Sequence, residues 1–428
     1  MKQNLYKMLL AIAIIVTAQS SFAQGSYKLN QVIVLNQGAY GSPLGVTVGA
    51  YDPTTKIYQD FDTITNAAFG SDVIIDSGYI YVAADSLLIK YDLNTKLKVA
   101  TQIVYGIREI AVWGNQLLVT RGYETALPSY FQVYDKNTLN LIYQLSYVSA
   151  ATEGIKVLND TAYVAVNNFG YSNVGKLAVI DLKNQIENRE IDLGPTGINP
   201  YNVEVDNTSH TLYTVNSLNY DSTSVTSYLP ATGKVGTTVV NESSSCNGST
   251  YYLGSIWFQL ASKTDIAAFS TTKLSVWDSL KINESLDGML VDSADGYMYV
   301  GNTDYATYGK VFIYNLFGQK IDTFNADVTP SNFAFDISST SGINQIASFA
   351  NLELYPNPTT NQLHVALIDS KDMQATLTLT DILGRQVYQE KIATNAAQVV
   401  PMNSITAGMY FLTVETANGQ MTRKIVKE

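Results

Sequence analysis

The chain has 428 residues, enough for two or more domains, and 46% of them are hydrophobic, which excludes a wholly disordered protein. A formal net charge of −11 argues against a nucleic-acid partner, while 15% charged residues beside 30 Tyr suit all-β structure. One cysteine, Cys246, leaves no intramolecular disulfide to form, so packing and strand pairing must close the fold.

Lys2 and Lys7 open the chain with positive charge, residues 8–18 are apolar, and Ser21-Phe22-Ala23 supplies a small-x-small cleavage signal. Residues 1–23 read as a secretory signal peptide, with Gln24 as the first mature residue. No later stretch is long and apolar enough to span a membrane, and none is expected in the mature chain.

A short pattern then returns seven times. An apolar strand ends in Tyr-Asp or a relative of it, and a turn rich in Thr, Asn and Gly follows. The anchor positions are 52, 92, 135, 181, 229, 270 and 315, a period of roughly 40 to 48 residues filled with strand signals, which predicts β-propeller blades of four strands each. Residues 73–75, 79–83, 87–91 and 98–104 are the four predicted strands of one blade. The ends do not fit whole repeats: residues 31–35 resemble a second strand without a first, and residues 332–337 a first strand without successors. The last strand is therefore expected to complete the first blade and close the ring, removing an exposed edge.

The same alignment places one acid or amide per blade before its first strand, at one mouth of the central channel. These residues are Asp72, Arg108-Glu109, Glu153, Asn202, Asn247, Asp287 and Asn332, and Gly follows the polar residue at 154, 248 and 288. Three readings stand open: turn residues that satisfy the loop backbone, contacts to a polar ligand, or oxygen ligands of a Ca-like cation. No cofactor is otherwise expected. Loops between second and third strands are predicted on the same face and carry Tyr40, Tyr123, Tyr171, Tyr220 and Tyr305. With Asn36, Asn167, Asn216 and Asn302 opening several of these loops, they suggest a Tyr/Asn rim that suits stacking on planar or sugar-like ligands.

Catalysis finds little support. His210 lies in a turn and His364 near the C-terminus, and neither belongs to a nucleophile or metal motif. Asp292-Ser293-Ala294-Asp295-Gly296 begins like a calcium loop but lacks the distal Glu and reads as a turn.

Residues 339–350 read as a linker, and from Leu352 about seven short alternating strands predict a small β-sandwich. Its pieces are Tyr355-Pro356-Asn357-Pro358, then 381–387 (Asp-Ile-Leu-Gly-Arg-Gln-Val), then 407–412 (Ala-Gly-Met-Tyr-Phe-Leu) and the terminal Lys424-Ile425-Val426-Lys427. In this order they resemble the C-terminal sorting domain of type IX (Por) secretion cargo. That resemblance implies that residues 351–428 engage the type IX machinery and direct the chain to the cell surface or outside.

The repeats of residues 24–338 resemble the YncE-like, surface-layer-type seven-bladed propellers, related in shape to lactonase propellers. The resemblance implies binding rather than catalysis. The expectation is thus an all-β, seven-bladed β-propeller with N/C strand closure plus a small C-terminal β-sandwich, secreted by type IX export. It is read as a non-enzyme that binds an unknown extracellular ligand at the channel mouth. A lactonase-like metal-assisted hydrolase and a structural or adhesive surface protein are the alternatives.

Overall fold

In the computed structural model, the described residues are 27–39, 45–122, 127–168, 173–218, 222–260, 265–339, 351–368, 374–381, 385–393, 397–416 and 419–428. The signal peptide and all but the first residue of the linker lie outside them. The chain divides into two compact units, one of them Leu29–Ile337 and the other taking in Ser338–Glu428.

Within the first unit, the described residues form seven four-stranded antiparallel sheets. Six run in simple chain order, beginning with Gly70–Asp76, Ile107–Trp113, Thr152–Leu158, Pro200–Asp206, Ser244–Tyr252 and Leu286–Val291 as their first strands. The remaining sheet pairs Pro330–Ser339 with Tyr27–Asn36, which then pairs with Val46–Asp52 and Ile57–Ile64. A side-chain bond from Gln31 Nε2 to Asp336 Oδ2, at 2.9 Å, crosses this junction of the two ends. The expected closure of the ring is therefore present.

The core lies between sheets. One apolar cluster joins Ile33, Leu35 and Val48 of the closing sheet to Ile80, Val82 and Tyr91 of the next. Equivalent clusters join each following pair, and the last brings Tyr299, Val311 and Phe324 back against Val32, Val34 and Tyr51. Burying each such side chain contributes about 1.5–3 kcal/mol. Second and third strands are consequently buried on both faces, as in residues 80–84, which are all fully buried.

The sevenfold pattern has a local cause. Asp52, Asp92 and Asp135 each end a third strand, and the Oδ1 of each accepts backbone N–H groups two and three residues on. The chain then passes through a left-handed residue, Lys56, Lys96 or Leu139, whose N–H bonds the carbonyl of that same Asp. The acid thus holds the tight turn into the fourth strand. The preceding Tyr enters the core between sheets, and its hydroxyl finds a polar partner: Tyr91 donates to Asp62 Oδ2 of the neighbouring sheet at 2.6 Å. Tyr51, Tyr134, Tyr228 and Tyr314 are buried at the equivalent place in their sheets.

The second unit has seven strands among its described residues, in sheets of three and four. Leu363, Val365 and Val400 of one sheet share a core with Leu377, Leu379, Leu412, Val414 and Ile425 of the other, giving a sandwich. The Asn357 side chain ties the Tyr-Pro-Asn-Pro segment to the last strand, donating to the Lys424 carbonyl and accepting from Val426 N–H, each at 2.9 Å. Arg385 caps its hairpin through Nε to Asp381 Oδ2 at 2.7 Å.

Candidate functional site

Six first strands open with an irregularity in their pairing, for example between Gly70 and Asp72, Ile107 and Ile110, and Thr152 and Ile155. Such bulges turn side chains away from the pleat, and they recur at barrel rims and near active sites. Here they aim polar residues at the mouth of the channel.

Two devices join neighbouring first strands at these bulges. The first is a carboxylate that accepts the next strand's N–H: Asp72 Oδ2 from Ile110 at 2.9 Å, Glu109 Oε2 from Ile155 at 3.2 Å, and Glu204 Oε2 from Tyr251 at 3.3 Å. The second is glycine where backbones nearly touch. A Cβ at Gly154 would stand 2.6 Å from the Tyr201 carbonyl oxygen, one at Gly248 2.6 Å from Met289 N, and one at Gly288 1.5 Å from the Ser331 carbonyl oxygen. This alternation is why the polar ring is not in one strict register.

Between the strand ends lies a cavity of about 100 Å³, lined from six first strands. Arg108, Glu109, Glu153, Asn202 and Asn332 line it, together with Gln37, Ser71, Phe69 and Tyr201. Asp72 and Asp287 are absent from its lining. Asp72 serves backbone N–H groups of Val73 and Ile110, and Asp287 is fully buried at its strand. The side chain of Asn247 lies outside the described residues, although its neighbour Gly248 lines the cavity.

The electrostatics are concentrated here. Arg108 Nε donates to Glu153 Oε2 at 2.7 Å, and the guanidinium stands 5.7 Å over the Phe69 ring. Glu153 is 4% exposed, and its second oxygen, Oε1, is buried with no hydrogen-bond partner among the described residues. Burial pushes the Glu153 carboxyl up from its ordinary range, with Arg108 opposing. Burial also pushes Asp72 up to about 6, against the N–H groups it accepts, and Glu109 up to about 8, with the Asp72 charge adding to the effect. Deeper in the channel, Lys156 Nζ stands 3.9 Å from Glu204 Oε2, and Glu204 holds this lysine above its ordinary value against the cost of burial.

Lys156 and Glu204 were not among the residues singled out from sequence. Their signal was available: each is a charge between two apolar residues inside a first strand, Ile155-Lys156-Val157 in Thr152–Leu158 and Val203-Glu204-Val205 in Pro200–Asp206. Among the described residues, no group of three or more His, Cys, Asp or Glu side chains is assembled to hold a metal ion.

The Tyr/Asn rim needs correction where it is described. Asn36, Asn167 and Asn216 are fully buried rather than exposed. Asn36 Nδ2 donates to Thr47 Oγ1 and Tyr58 OH, and Asn216 Nδ2 to Ser224 Oγ and Thr226 Oγ1, so these amides bind within their own sheets. Tyr305 is 51% exposed, in a left-handed conformation, and does not line the cavity. Tyr40, Tyr123, Tyr171 and Tyr220 lie outside the described residues. Asp292 does form a turn, its Oδ1 accepting Ala294 N–H at 2.8 Å.

Radially arranged four-stranded sheets with cores between them define a β-propeller. Residues 353–428 match the family described as the secretion system C-terminal sorting domain, so this segment directs type IX export to the cell surface or the extracellular space. No curated protein matches the chain. Among solved structures, a hypothetical selenium-binding protein from Sulfolobus tokodaii is similar at 10% identity and a TM-score of 0.59, covering 72% of this chain and 94% of that one. A functionally unknown protein from Desulfotomaculum acetoxidans is similar at 12% identity and a TM-score of 0.55, covering 72% and 98%. A quinonprotein alcohol dehydrogenase-like protein from Bacteroides thetaiotaomicron is similar at 15% identity and a TM-score of 0.53, covering 71% and 78%. At these identities the likeness speaks for the fold alone.

Proposed function

We propose that the propeller is a non-catalytic binding module that takes a small polar molecule into its channel-mouth cavity, carried out of the cell by the type IX sorting domain. The supporting observation is the cavity itself, into which six first strands bring Arg108, Glu109, Glu153, Asn202 and Asn332. The test is a thermal-shift screen of small polar molecules against the full chain. A ligand at a hundredfold excess over its Kd stabilises by about 2.7 kcal/mol. Hits should weaken in Glu153→Gln and in Asn202→Leu, and hits that bind both variants as they bind the parent would place the site elsewhere.

A hydrolytic reading of the lactonase type has one observation in its favour: Glu109 lines the cavity with a carboxyl near the operating range of a general acid or base. It predicts turnover of a small lactone or ester that Glu109→Gln abolishes.

A further inference from the structure

We propose that the outer strand Lys234–Val240 pairs with the same strand of a second copy of this chain, antiparallel across a two-fold axis. Two four-stranded sheets then become one of eight. This goes beyond the binding reading above and does not depend on it.

Each of the seven propeller sheets ends in a fourth strand whose outer edge pairs with no other strand among the described residues. Such an edge is a template for another chain unless bulges or charges blunt it. Six of the seven fourth strands break register against their third strands, as at Lys90/Tyr91 and Val133/Tyr134. Lys234–Val240 is the exception. It pairs in unbroken register over seven residues, from Leu229↔Lys234 to Thr223↔Val240.

The composition of this strand points the same way. Five of its seven residues are β-branched, and Val239 is 42% exposed. Gly236 is the one glycine in the seven fourth strands. An added Cβ there would meet nothing nearer than Ser227 Oγ at 3.5 Å, an ordinary contact, so its own sheet does not require a glycine. Where a strand is neither bulged nor bent, a glycine marks the close approach of another backbone.

Charge selects a second copy as the occupant. The chain carries a net charge of −11, and carboxylates on other fourth strands, such as Asp60, Glu187 and Asp322, oppose self-association there. Lys234–Val240 has no carboxylate. The strand is also complementary to itself. Centred on Thr237, an antiparallel mate sets Val235 opposite Val239 and Gly236 opposite Thr238, pairing β-branched residues and leaving room beside the threonine. Lys234 then meets the far end of the mate, where Glu242 follows two residues after Val240. Among the described residues, Lys234 has no carboxylate partner in its own chain. Within one copy Lys234 and Glu242 flank a strand about 20 Å long. Their attraction is therefore available only between copies.

The test is sedimentation equilibrium of the full mature chain over a concentration series. The expected result is a monomer–dimer equilibrium with no larger species. Val239→Lys, which puts a lysine on the edge, should weaken the dimer at least tenfold. Ile142→Lys, the same change at a residue 46% exposed on a bulged fourth strand, should leave it unchanged. Lys234→Glu and Glu242→Lys should each weaken it, and the double variant should restore the parental constant, with melting curves confirming that every variant folds. A chain still monomeric at about 100 μM, where a Kd of that size would place about half of the protomers in dimers, overturns the proposal. So does a dimer that Val239→Lys leaves intact or that the double variant fails to restore. A monomeric parent that binds a synthetic peptide of residues 234–240 overturns the second copy as occupant and assigns the edge to an extended segment of another protein.

Discussion

Asp72 and Ile110 stand on successive first strands, and Asp72 Oδ2 accepts the Ile110 N–H at 2.9 Å while Oδ1 accepts the N–H of Val73 at 2.8 Å. One side chain thus satisfies two backbone donors at the bulges of two sheets. Asp72→Ala strands both donors at a buried joint, and the expected cost is about 1–3 kcal/mol of stability. Asp72→Asn keeps one acceptor and should cost less. Chemical denaturation of the three proteins orders them parent, Asn, Ala; equal midpoints for parent and Ala would remove the clamp.

The retained protons set a pH dependence. Glu109 moves from an ordinary 4.5 to about 8 in the folded chain, and Asp72 from 3.8 to about 6. The folded state therefore binds more protons between those limits than the unfolded state. Its stability contribution is complete below about pH 4 and is lost as pH rises through about 6 for Asp72 and about 8 for Glu109. Lys156, held above its ordinary value, stays charged throughout this window. Denaturation midpoints of the parent should fall between pH 5 and 8.5, and Glu109→Gln should flatten the upper half of that slope. A parent whose stability rises over the same range contradicts the assignment.

Gly288 carries the tightest approach in the ring. Its φ is +73°, and an added Cβ would lie 1.5 Å from the Ser331 carbonyl oxygen, which is backbone and has nowhere to move without breaking the closing sheet. Gly288→Ala is expected to cost more than about 3 kcal/mol, since conformational strain and a backbone collision act together. Gly78→Ala, at φ +81° with open space around its Cβ, isolates the strain alone and should cost less. Comparable losses in the two proteins would argue against the close approach.

Export gives a cellular prediction. A chain ending at Ser348 lacks the sorting domain and should accumulate in the periplasm with its propeller intact. Fractionation and surface labelling of the parent and truncated chains decide this, and surface display of the truncation refutes it.

The fold was legible because its signals are local or sit at the chain ends. Asp92 and Asp135 act on N–H groups two and three residues away, so spacing alone exposed each turn. Residues 31–35 and 332–337 were conspicuous as half-repeats, and that mismatch is the closing sheet seen from sequence. The site was legible only in outline. Whether a polar residue at a first strand faces a cavity or a neighbouring backbone depends on contacts 38 to 47 residues away, as with Asp72 to Ile110 and Glu204 to Tyr251. Asn36 and Asn216 read as rim residues because the second strands run further than their apolar cores suggest. Tyr91 shows why aromatic abundance misled: most of its ring is core, and only the hydroxyl is polar.

The junction of Tyr27–Asn36 with Pro330–Ser339 also constrains the order of events in folding. Gln31 and Asp336 are 305 residues apart, so their sheet cannot form until nearly the whole propeller has left the ribosome. Contacts that distant carry a heavy loop-closure cost and form slowly. Until then both ends present unpaired strand edges. Once closed, the ring resists unzipping from either terminus, because each end strand is held by the other. A protease that removes the sorting domain beyond residue 339 leaves this lock in place, whereas a cut before residue 330 takes away one of its halves.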